Sequence, residues 1–171
     1  SKGALDLVIL GDGPLGEEVE AARAEHGLGD CVHLPGFKQY EDLPAYYGLA
    51  EFFVHASTTE QWGLVVNEAM AAGLPVLVSE RCGCAQDLVA DGENGWTFVP
   101  EDTAELAELL ARMTRAAREE EDMGRASRRI IEEWGPNAFA EGLTNAAETA
   151  VDKSATDSWF DHLLLRGLMH R

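Results

Sequence analysis

The sequence predicts an α/β fold: a Rossmann-like parallel sheet flanked by helices, with a helical C-terminal region. Two observations carry the prediction. Short apolar runs alternate with helical segments as far as Pro100, and the runs are apolar on both faces, as strands covered by two helix layers are. Turns bearing glycine or small residues follow three of these runs, at Gly11-Asp12-Gly13, Ser57–Gly63 and Ser79–Gly83. In such sheets ligands bind beyond the carboxyl ends of the strands.

The elements follow in order. A strand is expected over Leu5–Leu10, broken only by Asp6, then a helix from about Leu15 to His26 and a strand at Val32–Leu34. The helix Leu43–Leu49, with Tyr46 and Tyr47, leads to the strand Phe52–His55. The helix Gly63–Ala72 has the clearest end: Gly73 stops it and Pro75 follows, before the strand Val76–Val78. A short helix at Ala85–Ala90 precedes a strand at Trp96–Val99. From Glu101 the chain turns helical. Asp102 or Thr103 caps Thr103–Thr114, which carries Leu106, Leu109, Leu110 and Met113 on one face. Glu119–Trp134 mixes arginines with glutamates as a solvated face with i,i+4 pairs. Gly135-Pro136-Asn137 breaks it, and Asn137–Ala150 follows with Phe139 and Leu143 toward the core. Asp152–Ser158 is polar, and Trp159, Phe160, Leu163, Leu164, Leu165, Leu168 and Met169 make an apolar terminal helix. The expected organisation is a domain over 1–151, then a linker and terminal helix over 152–171, with self-association through 159–169 as one way to cover that face.

Composition bounds the function. A chain of 171 residues, 46% apolar and 26% charged, is long enough for one core. A formal net charge of −18 argues against nucleic acid and against an anionic membrane surface. No apolar run approaches a membrane span. Cys31, Cys82 and Cys84 fit a reducing compartment better than a disulfide framework, so a cytoplasmic location is expected.

The chemistry concentrates between Glu60 and Glu68, two carboxylates separated by seven residues. Glu60 precedes the helix that opens on Gly63, and Glu68 lies on it, about one and a half turns in. The first amides of a helix lack partners and its dipole favours negative charge, so this start can hold an anion. A carboxylate on either side can accept from hydroxyls. The arrangement suits a sugar diphosphate, with sugar at one carboxylate, phosphates at the helix start and ribose at the other. Other motifs have plainer readings. Gly11-Asp12-Gly13-Pro14-Leu15-Gly16 has the spacing of a dinucleotide fingerprint, but the second strand ends His33-Leu34-Pro35-Gly36 without the required acid, which argues against NAD. Cys82 and Cys84 lack a second cysteine pair or a suitably spaced histidine, so no metal is expected. His55 is either a rim histidine or a donor-side group, and Asp87 either starts a helix or binds ligand.

The stretch Thr59–Ser79, with its two glutamates, resembles the retaining nucleotide-sugar glycosyltransferases of the GT-B fold, in their donor-binding domain. Leu7–Pro14, Val32–Phe37, Leu49–Ser57, Cys82–Val89 and Asp91–Pro100 follow in the family's order, so the resemblance covers roughly residues 4 to 115. It implies a hexosyltransferase-like enzyme moving a sugar from a nucleoside diphosphate sugar, with no metal or other cofactor. Glu60 would be the catalytic-site carboxylate holding the sugar, Gly63, Leu64 and Val65 would receive the diphosphate, and Glu68 the ribose. Gly36, Phe37 and Lys38 would line the base pocket, with Gly11, Gly13, Gly83 and Asp87 also on the donor side. The chain opens on what the resemblance makes the second strand, so it is expected to lack the first strand-helix unit, its basic pair and the acceptor domain, which a partner chain or upstream segment would supply. Its full-length parent would be cytoplasmic or peripheral to the inner membrane. The rival reading is a non-catalytic nucleotide-binding or scaffold domain paired with another chain.

Overall fold

The computed structural model describes residues 5–119 and 122–154. The elements run β1 (Leu7–Leu10), α1 (Gly16–Glu25), β2 (Val32–Gly36), a 3-10 turn at Tyr40–Asp42, α2 (Leu43–Leu49), β3 (Phe53–His55), α3 (Leu64–Ala71), β4 (Val76–Ser79), α4 (Ala85–Leu88), β5 (Gly95–Phe98), α5 (Thr103–Glu119), α6 (Asp122–Glu132) and α7 (Pro136–Ser154). The chain divides into two compact units, Ser1–Ile131 and Glu132–Arg171. The expected boundary at residue 151 therefore falls inside α7, in the second unit. The expected terminal helix and most of the expected linker lie outside the described residues.

Every strand pairing is parallel, as predicted, but the strands form two ladders rather than one. β1 pairs with β2, and β3, β4 and β5 form a second sheet in that order. Among the described residues β1 and β3 each keep one unpaired edge. No strand among the described residues joins the two ladders. The gap has a consequence in burial. The apolar run of β1 implies coverage on both faces, yet Leu7, Val8, Ile9 and Leu10 are 36–47% exposed and α1 buries nothing. Apolarity alone does not bury a strand that lacks a lateral neighbour and a helix packed on its face.

The core is built around β4, whose four residues are all buried. Alternate side chains point to opposite faces of a strand. Val76 and Val78 accordingly join Val66, Ala69 and Met70 of α3 with Cys82, Cys84, Ala85 and Leu88, while Leu77 packs with Trp96, Phe98, Met113 and Met123. Each such large apolar side chain contributes ~1.5–3 kcal/mol relative to exposure. β5 can approach because it begins with glycine: a Cβ at Gly95 would stand 1.8 Å from the Val76 carbonyl oxygen. α6 is tied to the end of α3 by Ser127, whose buried hydroxyl donates to the Leu74 carbonyl at 2.7 Å. Asp102 is the residue that caps α5, its Oδ1 accepting from the amides of Ala104 and Glu105 at 3.0 and 2.9 Å.

Two details depart from the sequence expectations. Phe139 and Leu143 do not face the core; they are 74% and 61% exposed, on a helix belonging to the second unit. The charged face of α6 is exposed, but its pairing differs from the expected i,i+4 pattern: Arg125 pairs with Asp122 three residues away, Arg128 donates to the Ala72 carbonyl, and Arg129 pairs with Glu93 of another segment.

The turn before β5 rests on Asn94, fully buried, whose Nδ2 donates to the Leu88 carbonyl at 2.9 Å and whose Oδ1 accepts from the Ala90 amide at 2.8 Å. Asn94→Ala leaves both backbone groups without this partner, at about 1–3 kcal/mol for each buried group left unsatisfied. Urea unfolding is expected to show a lower midpoint with an unchanged slope.

Candidate functional site

The site grows from the end of β3. Past His55 the chain runs through Glu60 to Gly63, which is buried at φ 100° and turns the backbone into α3. A left-handed φ favours glycine because a Cβ there is strained. The Val66 amide bonds back to the Gly63 carbonyl at 2.9 Å, whereas Leu64 and Val65, whose amides precede that first helical bond, are exposed. No acidic residue lies in the first turn. The positive end of the helix is therefore open to an anion.

A second loop pins the first. Glu60 and Cys82 form an isolated parallel bridge, the Gly83 amide donates to the Glu60 carbonyl at 3.1 Å, and the Cys84 amide donates to the Trp62 carbonyl at 3.1 Å. A Cβ on Gly83 would sit 1.8 Å from the Gln61 carbonyl oxygen, so glycine is required by the crossing itself.

The Glu60 carboxylate is loosely held. Its Oε1 accepts from the Trp62 amide at 3.4 Å, and its Oε2 lies 4.0 Å from His55 Nε2. That nitrogen is buried, and it is the one buried side-chain nitrogen or oxygen among the described residues without a hydrogen-bond partner. Burial lowers the His55 pKa and the Glu60 charge opposes the shift, so the imidazole is neutral at neutral pH. Beside them, burial raises the Cys82 thiol and, with the neighbouring Cys82 and acidic groups adding, pushes the Cys84 thiol up to about 11. Both remain thiols at neutral pH, and among the described residues no group of three or more His, Cys, Asp or Glu is placed to hold a metal ion.

Glu68 has a firmer partner, which sequence reasoning passed over. The Tyr47 hydroxyl donates to Glu68 Oε2 at 2.9 Å. Burial first, then the hydrogen bond and charge of Glu68, push the Tyr47 pKa well above the usual phenol range. Tyr47 was visible only as one of two aromatics on a short helix. Its partner lies 21 residues on, and only packing brings them together.

The remaining candidates form a separate group at the ends of β1 and β2. Gly11, at φ 130°, donates its amide to the carbonyl of Gly36, at φ 73°, over 3.2 Å. Asp12 Oδ1 accepts from the Gly13 amide at 2.8 Å. A Cβ at Gly11, Gly13 or Gly36 would meet open space, so these glycines serve backbone shape rather than close packing. Phe37 is exposed beside the partly buried Lys38. Asp87 is exposed in the first turn of the four-residue α4, its amide bonded to the Cys84 carbonyl at 3.2 Å.

Comparisons with known proteins identify the family of the chain. Residues 1–130 match the family model described as Glycosyl transferases group 1. The chain is 34% identical over 119 residues to the amylovoran biosynthesis glycosyltransferase AmsK of Erwinia amylovora, covering 66% of this chain and 29% of that protein. The sucrose-phosphate synthase structure from Thermosynechococcus elongatus is similar at TM-score 0.72 and 29% identity, over 85% of this chain and 39% of its own. The Anabaena Alr3699/HepE structure in complex with UDP and glucose is similar at TM-score 0.70 and 25% identity, over 81% of this chain and 40% of its own. The chain thus spans less than half the length of each. No helix among the described residues is long and apolar enough to cross a membrane.

The Tyr47–Glu68 bond can be read by titration. In a Tyr40→Phe, Tyr46→Phe background a single phenol remains of the three. Its ultraviolet absorbance is expected to change only well above the ordinary phenol value of 10.0, and Glu68→Gln is expected to lower the midpoint by removing the neighbouring charge.

Proposed function

This chain belongs to the family Glycosyl transferases group 1, and from that premise we propose that it is the donor-binding part of a retaining enzyme that moves a sugar from a nucleoside diphosphate sugar to an acceptor. The observation that carries the reading is the open N-terminus of α3, with Gly63 in the left-handed conformation and one glutamate of the pair on either side in sequence. The diphosphate meets the amides of Gly63, Leu64 and Val65. Preorganised donors aimed at developing charge stabilise a leaving group without reorganising when it departs. Glu60 accepts from hydroxyls of the donor sugar and orients its anomeric carbon. Glu68, held by Tyr47, accepts from the ribose hydroxyls. Gly36, Phe37 and Lys38 line the base pocket, with Gly11 and Gly13 shaping the strand ends beside it, while Gly83 and Asp87 flank the sugar side. The leaving phosphate takes the acceptor proton, and no metal enters. The complex of Alr3699/HepE with UDP and glucose supports this donor class.

The acceptor is met outside this chain, by an N-terminal domain or a partner chain, which agrees with the share of each relative the chain spans. The free cysteines support a cytoplasmic location, with the full-length protein peripheral to the inner membrane where its acceptor requires it. The non-catalytic scaffold reading has no specific observation in its favour.

Two measurements test the proposal. Glu68→Ala removes a hydrogen bond to a charged group, worth about 1.5–3 kcal/mol, and is expected to weaken nucleoside diphosphate binding roughly ten- to a hundred-fold in calorimetry. Equal affinity in wild type and variant removes the ribose assignment. The 171-residue chain alone is expected to bind without transferring, because Lys2, Arg23 and Lys38 are the only lysines and arginines among its first eighty residues. Loss of one oxyanion-type donor alone costs about 10²–10³ in rate. A nucleotide-release assay with UDP- and GDP-sugars should read background, and a longer chain carrying the upstream segment should turn over and lose activity on Glu60→Ala. Robust transfer by the 171 residues alone contradicts the reading.

A further inference from the structure

Glu60 and Glu68 are joined through a column of aromatic rings. His55 stacks on Phe53 with ring centres 6.2 Å apart and planes 15° from parallel. Phe53 meets Tyr47 edge to face at 6.0 Å and 61°. Tyr47 at one end donates to Glu68. His55 at the other end faces Glu60, but across 4.0 Å and with no partner on Nε2. The two ends are thus alike in construction and differ in one respect: one hydrogen bond is made and the other is open.

A buried polar nitrogen without a partner costs free energy, so its persistence calls for an explanation. The open bond needs a carboxylate movement of about 1 Å to reach hydrogen-bond distance. Nothing firm resists that movement, since the other contact of Glu60 is the long 3.4 Å bond from the Trp62 amide. The ring cannot retreat, being stacked on Phe53 and packed beside Gly63, whose Cβ position is 3.6 Å from His55 Cδ2.

We propose that His55 is a positioning residue for the donor sugar: when a sugar hydroxyl engages Glu60, the carboxylate closes onto His55 Nε2–H, which fixes its rotamer. The inference rests on the donor-binding reading and deepens it. The neutral imidazole donates from Nε2, and its neighbours are Glu60 from the loop before α3 and, across Gly63, the protonated Cys84 thiol at the start of α4. The bare diphosphate does not engage Glu60, so His55 bears on the sugar and not on the nucleotide.

The test uses the whole chain and two probes, UDP and UDP-glucose, with His55→Phe, Glu60→Gln and the double variant. His55→Phe keeps an aromatic ring on Phe53 and removes both ring nitrogens. UDP affinity is expected to stay within twofold in His55→Phe. The preference for UDP-glucose over UDP is expected to fall about tenfold in His55→Phe, a hydrogen bond's worth, and the double variant is expected to lose no more than Glu60→Gln alone. His55→Phe retaining the preference, or losses that add in the double variant, overturns the proposal. Equal loss of UDP and UDP-glucose binding in His55→Phe also overturns it, since that is a structural effect. Absence of UDP binding in the wild type instead removes the donor-binding reading itself. A ligand-free readout then still decides the pair: the His55 ring, followed by NMR, is expected to titrate lower in Glu60→Gln, because the neighbouring charge that opposes the effect of burial is removed. An unchanged midpoint rules out the contact.

Discussion

The site depends on a crossing of two loops at Gly83. There the chain after β4 passes so close to the Gln61 carbonyl that a Cβ would lie 1.8 Å away. The amides of Gly83 and Cys84 bond to the carbonyls of Glu60 and Trp62 on either side of the contact. These bonds fix the backbone that carries Glu60 and deliver it to Gly63, where the φ of 100° starts α3. Both loops leave adjacent parallel strands, β3 and β4, at the same end of the sheet. The burial of Val76, Leu77, Val78 and Ser79 therefore serves the chemistry: it holds the strand from which the second loop departs.

Charge poses the next constraint. On the donor-binding reading, a chain with net charge −18 would hold an anion without an abundance of cations. Long-range fields from exposed carboxylates are screened over about 8–10 Å at ordinary ionic strength, whereas unpaired amides act at contact. The first turn of α3 has no acidic residue, and the nearby thiols of Cys82 and Cys84 are kept neutral by burial. The first turn of the helix and the thiols beside it thus add no negative charge to that of the nearby carboxylates. Arginines of α6 are spent elsewhere, on Glu93, Asp122 and the Ala72 carbonyl.

Much of this was legible in residue types, and the illegible parts share a cause. α3 was expected over Gly63–Ala72 and is found at Leu64–Ala71, because glycine marks both of its ends and that signal is local. The parallel strands were legible for the same reason. The division into two ladders was not expected, since nothing within β1 reports the absence of a lateral neighbour. Leu7 to Leu10 have the composition of a covered strand and stand exposed, because burial is a property of the pair and not of the run. Phe139 and Leu143 failed alike: helical spacing shows which residues share a face, not what covers it. Gly83 was legible as a turn residue, but its contact with Gln61 was not. Tyr47 and Phe53 carry no motif, and their part emerges only when the rings meet.

The aromatic column bears on why the glutamates keep their spacing. A carboxylate on a solvent-facing loop samples several rotamers, and a hydroxyl that binds it must bear the ordering cost. Tyr47 removes most of that freedom from Glu68 in advance. Glu60 keeps its freedom because it stands in a loop, with one contact at 3.4 Å and another at 4.0 Å. On the donor-binding reading the difference matches the two roles. A group that holds an unreacting ring gains from being rigid before binding. A group beside the reacting centre that closes onto His55 as the sugar engages it is ordered by the sugar and not by the nucleotide. Its ordering cost therefore falls on sugar binding, and the bound sugar is held in one orientation.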